Sequence, residues 1–421
     1  MKRIFILTIG LLWAVMLCAK IPLQTAIEKG LQRAVSYQNQ VLDEKSRELE
    51  NRTAQMKKYF SAGFDGSYLF KSEQMEISFP GQSMIVGAKH NYDMSLWLKQ
   101  PIFTGNIVTN SIKISEIQLA IAQTQTSIEK IEIEAKIKSS YFNYHLLLNK
   151  KKSLDTLIRQ LNLHLKKIRN FYREELVKKT DLLETRRKIR EQEINVEALN
   201  HSIHSEKIHF ETLCGVDIDT VAVDFRERGW HYHRAFKEFK KSHPVLKVLA
   251  ERILMLNTQG KIVKGEYLPQ IAGFAELHYG KPGIDFFKNQ WGFYFQGGIR
   301  FGLKLFDWNK RKRQLTTLDY GVKKVVNQRD DFILEGEKHL KQLFDARRSI
   351  KKKMGILDHL VQLADEDARL KAGLYQEQQV SNIDYLDALT TKERYMSRKN
   401  ELKMHLELIK VSINRIIGKG I

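Results

Sequence analysis

The chain has 421 residues, with 70 Lys+Arg against 49 Asp+Glu and a formal net charge of +21. Its 43% hydrophobic share excludes wholesale disorder. Six prolines and 24 glycines exclude a collagen-like or proline-rich chain, and two cysteines, Cys18 and Cys214, exclude a disulfide framework.

Met1-Lys2-Arg3 is a short basic start, Ile4 to Cys18 is almost wholly apolar, and Ala19 puts a small residue before Lys20. This is the layout of a secretory signal peptide over residues 1–19, too short for a membrane anchor. Its removal takes away Lys2 and Arg3, which lowers the charge from +21 to +19. Cys18 is a candidate lipidation site, although Leu17 stands where a lipoprotein signal wants a small residue. Cys214 lies in a helical apolar context and reads as inert packing. No later window holds 18 consecutive apolar residues, so no spanning helix is expected. Short alternating strands of a spanning β-barrel stay open.

A helical stretch is predicted from about Leu23 to Lys58, with a counterpart from about Arg234 to Gly265. The period then changes to two. Phe60, Ala62, Phe64, Gly66, Tyr68 and Phe70 alternate with mostly polar or small residues, as do Tyr92, Met94, Leu96 and Leu98. Ile271 to Tyr279 and Phe293 to Leu303 repeat the pattern. Strict alternation over about ten residues predicts strands with one apolar and one wet face, long enough to cross a bilayer when tilted. Pro80-Gly81 and Lys281-Pro282-Gly283 supply turn chemistry between them.

From about Ile107 to Leu213, and from about Lys310 to Ile416, the chain has no proline and reads as very long helix. Leu154, Ile158, Leu161, Leu165, Ile168 and Tyr172 step by fours and threes, and Leu182, Ile189, Val196, Ile203 and Phe210 recur at seven. These are coiled-coil seams. A fold-back is expected between Tyr172 and Asp181 and between Tyr375 and Asp384, with Thr180 and Ser381 as helix N-caps.

The two halves match each other. Residue n aligns with residue n+203 without a gap: Phe103 with Phe306, Asn106 with Asn309, Tyr172 with Tyr375, Asp181 with Asp384, Gly215 with Gly418. Upstream the offset is 208, where Tyr59-Phe60 meets Tyr267-Leu268. The expected organisation is two repeats, residues 20–220 and 221–421. Each is a helix, a β-hairpin (59–103 and 267–306) and a long helical hairpin. Four strands cannot close a barrel; three copies would supply twelve.

No H-E-x-x-H, phosphate-binding loop or G-x-S-x-G is present, so an enzyme is not expected and no cofactor is implied. His201, His204 and His209 lie on one helix without a matched further ligand and read as solvated polar residues; His231 and His233 read as loop. Lys150–Lys152, Lys351–Lys353 and Lys310–Arg313 admit a rival reading, a basic coiled-coil structural or nucleic-acid-binding protein. That reading leaves the signal peptide and the alternating strands unexplained.

Gln100-Pro-Ile-Phe-Thr-Gly-Asn106 and Leu305-Phe-Asp-Trp-Asn-Lys-Arg311 resemble the "P-L-F-D-G-G" element of the TolC-type outer-membrane efflux family. Tyr267-Leu-Pro-Gln270, Ser242-His-Pro-Val-Leu246 and Asp384-Tyr-Leu-Asp387-Ala388 resemble further elements in the same order. Lys304, Ser36, Ser61 and Gln378 depart from the pattern. The resemblance implies a mainly α protein with a small β part, a coiled-coil barrel carrying four transmembrane strands per chain. It implies a homotrimer in outer-membrane lipid with a periplasmic helical extension, a periplasmic adaptor and an inner-membrane transporter of RND or ABC type, and no nucleic acid. It carries a gate role to Asp384 and Asp387, with Asp181 and Glu184 as first-half equivalents, and tip-closing hydrogen bonds to Tyr172 and Tyr375.

Overall fold

The computed structural model describes residues 20–222, 229–285 and 287–420; residues 1–19, where a signal peptide is expected and which include Cys18, lie outside them. The chain is predominantly helical with a smaller strand part, and it divides into two compact units. Each unit draws on both halves of the sequence. One holds Leu42–Thr124 and Val248–Arg329, the other the residues up to Val41, Gln125–Lys247 and Asp330 onward.

The first of these units carries an antiparallel sheet in the order β2 (Ser61–Phe70), β5 (His90–Thr104), β7 (Gln270–Lys281), β8 (Gly292–Gly302). The register sets Phe64 opposite Leu96, Leu96 opposite Leu277, and Leu277 opposite Phe295. Period-two alternation therefore continues as rows across all four strands. The register shifts at Pro101, which has no N–H for the ladder. Pro80-Gly81 is a tight turn of an extra hairpin, β3 (Met75–Phe79) with β4 (Gln82–Val86), rather than part of an open loop. Gly105 and Gly265 approach so closely that a Cβ on Gly105 would sit 2.3 Å from the Gly265 carbonyl oxygen. Only glycine fits there.

The expected single helix over Leu23–Lys58 is two, α1 (Leu23–Arg33) and α2 (Val35–Met56), because Ala34 is extended. Its counterpart is also two, α5 (Tyr232–Ser242) and α6 (Pro244–Gly265). There the cause is local: Pro244 lacks an N–H and pushes His243 out of helical geometry. His233 is not a loop residue but lies within α5, because Trp230, Tyr232, Phe236 and Phe239 pack on a core with Leu340 and Ile413; His231 is in extended backbone just before the helix and makes no side-chain cap bond. Gly336 makes room for that core, since a Cβ would lie 2.2 Å from the Phe239 ring.

The long helices are α3 (Ile107–Arg173), α4 (Lys179–Cys214), α7 (Lys310–Gln376) and α8 (Asn382–Ile417). Every boundary in the second pair equals its first-pair counterpart plus 203. The first core cluster joins Ile27, Ile137, Tyr141, Phe210 and Ile218, closed by a short parallel pairing of β1 (Ile21–Pro22) with β6 (Val221–Ala222). Cys214 is buried in it, and burial pushes its thiol up to about 12. Among the described residues no helix is long and apolar enough to cross a membrane.

Candidate functional site

The helix turns bring together most of the residues singled out by sequence. At the α7–α8 turn, Ser381 caps α8 as expected. Its hydroxyl accepts from the Asp384 N–H at 3.2 Å, and the Asp384 carboxylate accepts from the Ser381 N–H at 3.3 Å and from its hydroxyl at 2.5 Å. This is a reciprocal capping box. These bonds hold the Asp384 carboxyl below the usual carboxylate range. At the α3–α4 turn the expected cap, Thr180, is already helical; Lys178 is the cap residue, and its N–H donates to the Asp181 carboxylate at 3.2 Å. The helix starts two residues earlier because Asp181, at the third helical position, can reach back to that N–H.

Four candidate carboxylates thus separate into two kinds. Asp181 and Asp384 are engaged as caps. The carboxylates of Glu184 and Asp387 make no hydrogen bond or ion pair among the described residues; Glu184 is half-buried and Asp387 exposed.

The two tyrosines also differ. Tyr172 is exposed, while Tyr375 is buried in a core formed by Leu161, Leu165, Ile168, Leu182 and Leu386. The Tyr375 hydroxyl is buried without a hydrogen-bond partner, so the expected tip hydrogen bond does not form within one chain. Burial, reinforced by the nearby Asp181, pushes it up to about 12.

Sequence reading missed the polar centre of this turn. The buried Asn382 amide donates to the Asp181 carbonyl at 3.2 Å and to the Thr185 hydroxyl at 3.3 Å. Its oxygen lies 2.8 Å from His164 Nε2. Tyr375 and Tyr385 flank the His164 ring edge to face, with centroids 5.0 and 4.6 Å away. The one legible signal was His164 itself, a polar residue between Leu161, Leu165 and Ile168. Asn382 gave none, because position 179 of the other half is lysine.

Both turns close with a non-glycine residue in left-handed backbone, Glu175 (φ 62°) and Gln378 (φ 60°). Leu176 donates to the Phe171 carbonyl and Gln379 to that of Leu374, each at 2.8 Å. This is a Schellman-type helix end.

The sheet is the second site. One face carries Phe64, Tyr68, Phe70, Leu96, Leu98, Leu277, Phe293, Phe295, Ile299 and Phe301, all exposed. Phe293 and Ile299 are each 73% exposed, which a soluble sheet face would not tolerate as a contiguous patch. Tyr68, Tyr92, Tyr279 and Trp291 gather at one margin, with neighbouring ring centroids 5.0–5.7 Å apart. The opposite face is polar: His278 Nδ1 lies 3.0 Å from Asp93, and Gln296 donates to Glu276 at 2.7 Å. The outer edges of β2 and β8 are unpaired among the described residues.

His201, His204 and His209 are exposed on α4, and among the described residues no three His, Cys, Asp or Glu side chains come together as a metal site.

No family model matches the chain, and no curated protein matches it in sequence. Solved structures do match over nearly its whole length. The outer membrane protein VceC of Vibrio cholerae superposes with a TM-score of 0.78 at 16% identity, covering 94% of this chain and 96% of that one. The fold is that of an outer-membrane channel. The Campylobacter jejuni CmeC outer membrane channel gives a TM-score of 0.75 at 12% identity, over 94% of this chain and 85% of that one. CusC, studied for its transmembrane channel formation, gives 0.77 at 12% identity over 96% and 94%. Within this channel fold the two kinds of carboxylate fall at the helix turns, and the apolar sheet face belongs to the strand part.

Proposed function

We propose that the chain is one protomer of a trimeric outer-membrane duct, which passes substrates from an inner-membrane pump to the exterior. The observation that carries this reading is the sheet: one face is apolar and exposed, and both edges are open. Water is a poor solvent for such a face, and an open edge seeks a partner strand. Three copies joined β8 to β2 give twelve strands, a closed barrel with its apolar face toward lipid and its Asp93, Glu276 and His278 face toward the bore. The matched helix boundaries, offset by 203, support a tandem repeat, so three copies would give a quasi-sixfold ring of helical hairpins. The rival reading, a basic coiled-coil nucleic-acid binder, leaves the apolar sheet face without a solvent.

The turn residues are the gate. Asp387 and Glu184, whose carboxylates are unengaged, would meet in the trimer as a ring of six carboxylates that repel one another and favour cations. Asp384 and Asp181 hold the turns in shape. The chain has no nucleotide-binding motif, so energy comes from a partner: a periplasmic adaptor docked on the helix turns and an RND or ABC transporter behind it.

Fractionation and planar-bilayer recording test the reading together. The protein should leave the cell envelope only with detergent and should form cation-preferring channels. A soluble cytoplasmic protein without conductance would refute it.

A further inference from the structure

We propose that the groove between the end of α6 and the start of α7 binds an anionic glycerophospholipid. The proposal rests on the membrane reading of the sheet given above. The groove is about 540 Å³, within the range of small-molecule sites. Ile262, Val263 and Leu318 form its apolar side, and Lys310, Arg313 and Gln314 its polar side. An acyl chain suits the first set and a phosphate the second.

Three further observations point to such a ligand. First, neither Lys310 nor Arg313 has an ion-pair partner among the described residues, and the nearby carboxylate, Asp307, is engaged. It accepts from the Tyr267 hydroxyl and from the Arg311 N–H at 2.6 Å. Second, the Gln314 side-chain oxygen is buried with no hydrogen-bond partner. It is an acceptor that lacks a donor, which the headgroup hydroxyl of a phosphatidylglycerol supplies. Third, both walls are tethered to the sheet margin. α6 ends at Gly265, shortly before β7 begins at Gln270, and β8 ends at Gly302, shortly before α7 begins at Lys310.

The segment joining β8 to α7 marks this level as an interface. Leu305 is 86% exposed and Trp308 78% exposed. Trp308 and Asn309 both hold left-handed backbone, with φ 54° and 62°, where the other half has Gly105 and Asn106. A bulky residue in that region is strained. The strain presents an indole outward beside a run of cations, the combination that suits a lipid headgroup layer.

The test uses the full-length protein extracted from nanodiscs of phosphatidylglycerol mixed with phosphatidylcholine, with retained lipid counted by native mass spectrometry. Phosphatidylglycerol should be retained in preference, and Lys310→Gln with Arg313→Gln should weaken retention roughly tenfold. Lys351→Gln with Lys352→Gln, the same charge change on another part of α7, should leave retention unchanged. Equal retention of the two lipids, or an equal loss in both double variants, would overturn the site while leaving the channel reading intact. Failure of the wild-type protein to enter any nanodisc would overturn both. A Leu318→Cys variant that cross-links between subunits, with no lipid retained, would assign the groove to a second copy instead and also overturn the proposal.

Discussion

His164 and Asn382 lie 218 positions apart in sequence, yet their side chains meet at 2.8 Å in the buried centre of the helix turns. The Asn382 amide nitrogen already donates to the Asp181 carbonyl and the Thr185 hydroxyl, so its oxygen must accept from His164 Nε2. One asparagine thereby ties α3, α4 and α8 together. Asn382→Ala strands the buried His164 Nε2–H and takes one donor each from the Asp181 carbonyl and the Thr185 hydroxyl. It should cost about 2 kcal/mol, read as a lowered melting temperature. An unchanged melting temperature would show that the network does not hold the turns together.

Stability should fall in acid through buried histidines. His243 Nδ1 accepts from the Val245 N–H at 3.1 Å at the start of α6, so it must be unprotonated to cap that helix. Burial lowers it from 6.5 to about 4, and burial lowers His164 as well. The unfolded chain therefore takes up protons before the folded one does. The stabilisation is complete above about pH 6.5 and is lost as the pH falls toward 4, by roughly 3 kcal/mol for His243. His243→Asn keeps a capping acceptor and should flatten that part of the acid limb in thermal melts between pH 7 and 4.

Capping and gating should separate by mutation. Ser381→Ala should lower stability by about 1 kcal/mol with little effect on conductance. Asp384→Ala should also lower the melting temperature, since its carboxylate completes the same cap. Asp387→Ala should leave melting unchanged while raising single-channel conductance and reducing cation preference. A silent Asp387→Ala in the bilayer would remove the gate assignment.

Relief of backbone strain gives a change of opposite sign. Gln378→Gly and Glu175→Gly place glycine where φ is 60° and 62°. Each should raise stability by about 0.5–1 kcal/mol. A loss in chemical denaturation would mean that the side chain makes a compensating contact at the turn.

What was legible in the sequence is what repeats or alternates. Period two gave the four long strands, since Phe293 to Phe301 admit one apolar face only. The absence of proline, together with the recurring tyrosine and aspartate, located both helix turns. What was hidden depends on contact across long separations. The Asn382 bonds cannot be read from its neighbours, and the break at Ala34 has no proline to announce it. Thr180 looked like a cap because threonine is a good one, but Asp181 reaches the Lys178 N–H and moves the helix start. The division of the carboxylates into engaged and unengaged pairs was likewise invisible, because all four sit at the same offset in both halves.

Subunit number tests the central claim most directly. Detergent-extracted protein, weighed by native mass spectrometry, should be three chains, and cysteines placed along the outer edges of β2 and β8 should cross-link between chains around a closed ring. A monomer of 49.2 kDa or less after signal removal, with those two edges unreactive toward each other, would contradict it.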